Sequence, residues 1–316
     1  MDGLTGLLDG PRARGAFLLR SVFSSPWSMR IEDEAPLTLV ALVRGTAWIQ
    51  PASGPAVQLE PGDVAIARGP APYVVSDDPA TPPSIIIGPG QQCTTLYGVD
   101  LAEPMDLGVR TWGNDMNGST TMLTGTYEEL GEVGQRLLDA LPPLVHVPRD
   151  QCDTPLVRLF HDEMVKEVPG QGAVLDRLLD VLLIAALRAW FGRPDAEAPA
   201  WYRANGDPIV GRALRTMQNH PAEPWTVASL ASYIGVSRAT LARRFAELVG
   251  EPPMSFLTSW RLSLAADLLR SPSETVGSVA RQVGYSTPFA LSTAFKRARG
   301  MSPQQFRQTA LAPAGA

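Results

Sequence analysis

The sequence predicts an α+β chain of two domains, a β sandwich or barrel followed by an all-helical part carrying two helix-turn-helix units. Three observations carry this prediction. Short β-rich runs separated by Gly and Pro occupy residues 37–87, the pattern of a sandwich or barrel rather than of βαβ units. Helical spacing of apolar residues takes over at Tyr127. An internal repeat then fills residues 226–306.

The expected strands are Leu37–Val43, Thr46–Gln50, Ala56–Leu59, Asp63–Ile66, Tyr73–Val75 and Ser84–Ile87, and Thr120–Thr126, after Val109–Trp112, closes the region. Arg44-Gly45, Ser53-Gly54-Pro55, Pro61-Gly62 and Gly69-Pro70 mark the turns between them. Helices are expected at Glu128–Leu141, stopped by Pro142-Pro143, at Thr154–Glu167 and at Ala173–Phe191. The last of these sets Leu175, Leu178, Leu179, Leu182, Leu183, Ala186, Leu187 and Trp190 at helical spacing. So wide an apolar strip packs either against the same chain or in a homodimer interface. Gly192–Pro199, with two prolines and alternating charge, reads as a linker.

With 316 residues and 45% hydrophobic content the chain has enough apolar side chains for two cores. The longest apolar run, Val174–Phe191, is broken by Asp176, Arg177, Asp180 and Arg188, so no helical membrane span is expected. Met1–Arg20 lacks the basic start and apolar stretch of an export signal, and a cytoplasmic location is expected. Two cysteines exclude a disulfide-stapled scaffold. The net charge of −5 hides a division. Residues 1–200 hold 14 Lys and Arg against 26 Asp and Glu, whereas residues 201–316 hold 13 against 6. A basic tail on an acidic body is expected to meet a polyanion.

That tail contains the repeat. Thr226–Ser237 matches Thr275–Ser286, with Ala231 and Ala280, and Gly235 and Gly284, each 49 residues apart. Beyond this point the offset is 50, as in Phe245/Phe295, Gly250/Gly300 and Pro253/Pro303. In each copy a small Ala permits close helix crossing, and the Gly takes the tight turn. Thr226, Ser237, Thr275 and Thr287 are placed to cap the four helices, the last with Pro288 at the first helical position. Met254–Leu269 forms one helix between the copies, with Phe256, Trp260, Leu264 and Leu268 on one stripe.

At Gly235–Phe245, Trp260-Arg261-Leu262 and Ala294–Pro303 the chain closely resembles the AraC/XylS family of bacterial transcription regulators, over about Pro208 to Phe306. Leu59–Val64, Ala140–Val147 and Ala173–Asp180 resemble the cupin-type sensor domain of one branch of that family. The resemblance implies a cupin-like β jelly-roll sensor over residues 1–126, a helical dimerisation segment over 127–191, a linker over 192–207 and a DNA-binding domain over 208–310. It further implies a homodimer on double-stranded DNA, contact with RNA polymerase, activation of transcription, and control by a small-molecule or redox signal.

The solvent faces of the second helices supply the candidate base readers: Ala239, Thr240, Ala242 and Arg243 in the first copy, and Pro288, Phe289, Ser292 and Thr293 in the second. Arginine is the usual reader of guanine N7 and O6, whereas the second set offers chiefly apolar contact with thymine methyls. Arg238, Arg244, Lys296, Arg297 and Arg299 are expected on phosphates, which position the protein without reading sequence. The alternative is that these faces are merely solvated. Arg261 has two readings, a structural tie or a contact.

Metal-dependent cupins take ligands from His and Glu on neighbouring strands. Here Leu37–Val43 has no His, Tyr73 stands where the second motif commonly has one, and His146, His161 and His220 are expected outside the strands. No metal, cofactor or catalytic residue is therefore expected, and no Gly-x-Ser-x-Gly elbow or phosphate loop is present. Trp48 is a candidate for lining an apolar ligand pocket in the barrel. Cys93, in a segment that reads as a loop, is either an inert thiol or a redox sensor. Two other readings remain: a metal-independent cupin enzyme with a DNA-localising tail, and a constitutive DNA-binding protein whose N-terminal part only dimerises.

Overall fold

The computed structural model describes residues 16–128, 131–152, 154–193 and 198–311. The chain divides into two compact units. Within the described residues, the sheet-rich unit holds residues up to 128 and 138–193, and the helical unit holds Gly131–Leu137 and everything from Ala198 onward.

In the sheet unit the strands are β1 (Phe17–Phe23), β2 (Ser28–Ile31), β3 (Leu37–Arg44), β4 (Ala47–Pro51), β5 (Val57–Leu59), β6 (Val64–Arg68), β7 (Tyr73–Ser76), β8 (Ile85–Gly88), β9 (Gln92–Thr95), β10 (Asp106–Gly108), β11 (Thr111–Gly113), β12 (Thr120–Tyr127) and β13 (Leu144–Val147). One sheet runs β10-β11-β1-β12-β3-β6-β13 and the other β5-β4-β7-β2-β8-β9. Both contribute to a shared core: Phe23, Val40, Leu42 and Met122 from the first, and Met29, Ile49, Val75 and Ile85 from the second. Phe23 stacks on Trp27 at 4.8 Å between ring centres and meets Trp112 edge-on at 5.8 Å.

Strand β3 is buried on both faces over its first six residues. Val40 and Leu42 enter the shared core, and α2 (Thr154–Met164) packs against β3. Helix α3 (Gln171–Phe191) packs on α2 and comes close enough to β12 that a Cβ on Gly125 would lie 2.3 Å from Leu179 Cδ1. Tyr127 donates to Asp180 at 3.2 Å, joining the end of β12 to α3.

β1, β2, β9, β10, β11 and β13 are strands that the sequence pattern does not predict. His146 lies on β13, and its Nε2 donates to the buried Asp63 at 2.9 Å. The apolar strip of α3 is an internal surface: Leu175, Leu179, Leu182, Leu183, Ala186 and Leu187 are buried within the chain itself. The helix expected at Glu128–Leu141 is α1 (Glu132–Leu138); residues 129 and 130 lie outside the described residues. α1 starts where it does because Asp267 accepts the backbone N–H groups of Glu132 (2.5 Å) and Val133 (3.1 Å), two of the unpaired donors of a helix N-terminus.

The helical unit continues with α4 (Ala200–Ala204), α5 (Val210–Asn219), α6 (Val227–Ile234), α7 (Arg238–Val249), α8 (Pro253–Leu269), α9 (Val276–Gln282), α10 (Pro288–Arg299) and α11 (Pro303–Leu311). α4 falls inside the stretch 192–207 expected as a linker, and Ala204 is buried in the core of the helical unit. One core gathers Leu214, Leu230, Leu241, Phe245 and Trp260, and a second gathers Leu262, Leu269, Val279, Leu291 and Phe295. α8 feeds both, and Leu264 packs against each. More than the single expected stripe is therefore buried: Leu257, Leu262, Ala265, Ala266 and Leu269 join Phe256 and Trp260.

Candidate nucleic-acid interface

The two helix-turn-helix units are built alike. Thr226 Oγ1 accepts from Ser229 N (3.0 Å), and the Ser229 hydroxyl accepts from Thr226 N (2.9 Å), closing a capping box at α6. Thr275 caps α9 in the same position through Ser278 N. Gly235 and Gly284 turn the chain at φ +81° and +82°, a left-handed conformation that glycine adopts without steric cost. Ser237 then caps α7 through Thr240 N (3.1 Å), and Thr287 caps α10 through Ala290 N (3.1 Å).

The caps fix where α7 and α10 start, and the buried side chains decide which side faces water. Leu241 and Phe245 are buried on α7, as are Leu291 and Phe295 on α10. Of the candidate base readers, Ala239, Arg243, Pro288, Phe289 and Thr293 are exposed, and Thr240, Ala242 and Ser292 are half-buried. Phe289 is 80% exposed, an unusual position for so large an apolar ring. Thr240 Oγ1 hydrogen bonds with the Ser237 hydroxyl, and Ser292 Oγ donates to Pro288 O at 2.8 Å. Arg243 reaches Glu247 one turn on, at 2.9 and 3.0 Å to its two oxygens, with both side chains more than half exposed. In water such a pair is weak, so the guanidinium can exchange it for another acceptor.

The expected phosphate contacts separate into two groups. Arg238, Lys296 and Arg297 are exposed. Lys296 and Arg297 also sit in the last turn of α10, where positive charge favours the helix terminus. Arg244 is not available in the same way. Its Nε donates to Asp207 Oδ2 at 2.9 Å, and its Nη2 reaches the same oxygen. Asp207 Oδ1 in turn accepts from Ile209 N and Val210 N at the start of α5. The hydrogen bond from Arg244 holds the Asp207 carboxyl below its ordinary value of 3.8.

Arg299 is also occupied. It pairs with Glu132 at 2.8 Å and lies over the Phe295 ring at 5.3 Å and the Phe306 ring at 5.8 Å. Both arginines are thus paired within the helical unit, unlike the exposed Arg238, Lys296 and Arg297. Arg261 takes the structural reading: it donates to Pro221 O and Glu223 O at 2.7 Å each.

In the sheet unit, the side chains of β4 alternate. Ala47 and Ile49 enter the shared core, while Trp48 between them is half-buried on the other face. Trp48 therefore does not line the space between the sheets. Cys93 stands on β9 rather than in a loop, partly buried against the core, with its thiol donating to Gln91 O at 3.6 Å. Burial, and secondarily Asp100, push that thiol up to about 11. Among the described residues no three His, Cys, Asp or Glu side chains are grouped as a metal site would need, and no helix is long and apolar enough to cross a membrane.

Comparison with known proteins gives matches along the chain. Residues 2–192 match the family described as Cupin, and residues 230–309 match the family described as Helix-turn-helix domain. An AraC-like transcription regulator of Streptomyces lividans is 32% identical, over 98% of this chain and 98% of its own length. A second AraC-like transcription regulator, of Streptomyces antibioticus, is 30% identical over 98% of this chain and 99% of its own. Among solved structures, the DNA-binding domain of AdpA in complex with a target DNA is 33% identical, with a TM-score of 0.32, covering 35% of this chain and all of that one.

Proposed function

The chain belongs to the AraC-like transcription regulators, with a cupin region ahead of its helix-turn-helix domain, and from that premise we propose how it reads DNA and how it is controlled. α7 and α10 each place their first two turns in a major groove, in successive grooves on one face of the duplex roughly 34 Å apart. Arg243 leaves Glu247 to bond a guanine edge. Phe289 and Thr293 contact thymine methyls. Arg238 and Lys296 hold phosphates.

The single observation that carries this reading is the duplicated geometry. Two helices with equivalent caps, equivalent turn glycines and equivalent buried residues leave matching faces exposed. A solvated-surface reading accounts for Arg243 but not for the exposed ring of Phe289.

The sheet unit is the sensor, and its signal is a small molecule. The partly buried Cys93, held as a thiol, supports the inert reading of that residue over the redox one. The protein acts in the cytoplasm as an activator that contacts RNA polymerase, with no chemistry of its own. It is a homodimer, but not through Leu182 and Leu183. Val174, Leu178, Val181 and Ala185 recur at 4-3-4 spacing on the outer side of α3, with Val174 45% and Val181 43% exposed. That spacing makes a seam for a second copy of the helix. Selection of duplexes from a random pool by the purified full chain tests the reading: a two-part site is expected, and binding without any base preference would refute it.

A further inference from the structure

Inside the helical unit lies a cleft of about 720 Å³, bounded by Arg136 of α1, by Ser255, Ser259 and Ser263 of α8, and by Arg297 and Arg299 at the end of α10. This is well within the size of small-molecule sites. Three arginines line it, and the Arg136 and Arg299 guanidinium groups are close enough to repel. Arg136 donates to the Ser259 hydroxyl and lies 6.0 Å from the centre of the Trp260 ring. Arg299 pairs with Glu132, yet its Nε is buried and has no hydrogen-bond partner. Arg297 is exposed.

Such like charge costs free energy unless anions answer it, and Glu132 and Glu251 answer only part of it. Burial pushes the Arg136 guanidinium below its ordinary value, and Arg299 pushes it the same way, while Glu251 and Glu132 oppose them. Guanidinium groups present forked N–H donors that match phosphate oxygens. The seryl hydroxyls can exchange hydrogen bonds with hydroxyl groups on the rest of a ligand. The volume exceeds what a bare phosphate ion would fill.

We propose that this cleft binds a small, hydroxyl-bearing phosphate ester, its phosphate on Arg136, Arg297 and Arg299 and its hydroxyls on Ser255 and Ser259. The site lies in the helical unit, apart from the sheet unit to which sensing is assigned above. Its ligand bridges α1 and α10, and so bears on the second of the two helices that read DNA. The same three groups could instead take a backbone phosphate of DNA, and the test separates the two sources.

The full chain is titrated with inorganic phosphate, with ribose 5-phosphate and with ribose, at constant ionic strength set by chloride, while Tm is recorded. Saturable stabilisation is expected with both phosphates, at least as tight for the ester, and none with ribose. Ser255→Glu places a carboxylate on an exposed position of the cleft wall, and should abolish the response, with Tm in chloride alone no lower than that of wild type. Arg136→Gln should weaken binding about tenfold or more, the loss of one charge-assisted hydrogen bond. No saturable response, a response that survives Ser255→Glu, or exclusion of the ester would overturn the proposal. So would competition between phosphate and random-sequence duplex together with an equal loss of duplex binding in Arg136→Gln, which would make the cleft a seat for the DNA backbone.

Discussion

Arg244 and Asp207 stand 37 residues apart in sequence and form a forked pair in which both guanidinium donors reach one carboxylate oxygen, while the other oxygen caps α5. An arginine beside the expected base reader is thereby tied to the first helices of its own unit. Arg244→Ala should lower Tm of the helical unit and leave the dependence of DNA affinity on salt unchanged. A phosphate contact would behave oppositely, reducing the slope of log affinity against log salt by about one. Salt titration of DNA binding by wild type and variant decides between the two.

The same pair sets a pH dependence. The Asp207 carboxyl is lowered in the folded protein, so its contribution to stability is complete above its unfolded value, near 4, and is lost as pH falls through the lower folded value. Wild type should lose stability between pH 4 and lower values more steeply than Asp207→Asn. Parallel acid unfolding curves for the two proteins would show that the pair contributes nothing.

Glu247 holds Arg243 in the absence of DNA. Glu247→Gln should therefore strengthen binding to the selected duplex several-fold, because it releases the guanidinium and removes a negative charge from the DNA face. Weaker binding in gel-shift titrations would place Glu247 among the base contacts, as a reader of cytosine.

Leu182 and Leu183 are buried inside the chain. Leu182→Ala should destabilise by about 2–5 kcal/mol, and a charged residue there should prevent folding. Val181→Glu, on the exposed side of the same helix, should instead give a folded monomer. Sedimentation of both variants checks the assignment, and a wild-type monomer at micromolar concentration would remove the proposed seam.

Cys93, with its thiol pushed up to about 11, should alkylate with iodoacetamide at pH 8 at least tenfold more slowly than a free cysteine, since the thiolate is the reactive form. Cys93→Ser should bind DNA like wild type before and after mild peroxide. A loss of the peroxide response in that variant would restore the redox reading.

The helical unit was largely legible in the sequence because its determinants are local. The caps at Thr226, Ser237, Thr275 and Thr287, the turn glycines and the apolar spacing all lie within a few residues of what they control. The sheet unit was less legible. β13 is four residues long and follows two prolines, and β1 carries Arg20 and Ser21 among its apolar residues, so neither shows clean alternation. The apolar strip of α3 signalled burial but not its partner, which is the chain's own sheet rather than a second copy. The pairing of Arg244 and Arg299 was hidden for the same reason. Nothing near Arg244 or Arg299 announces Asp207 or Glu132, because those contacts exist only once the chain has folded.

Whether α7 and α10 both read bases is measured most directly by the binding specificity of Arg243→Ala and Phe289→Ala. Each variant of the full chain is used to select duplexes from a random pool, and its affinities for selected and unrelated DNA are compared with those of wild type. Arg243→Ala should cost about 1–3 kcal/mol on the selected site and relax preference at one position. Phe289→Ala should relax preference at a separate position about one helical turn away. Equal losses on selected and unrelated DNA, with every base preference intact, would contradict base reading by the two helices.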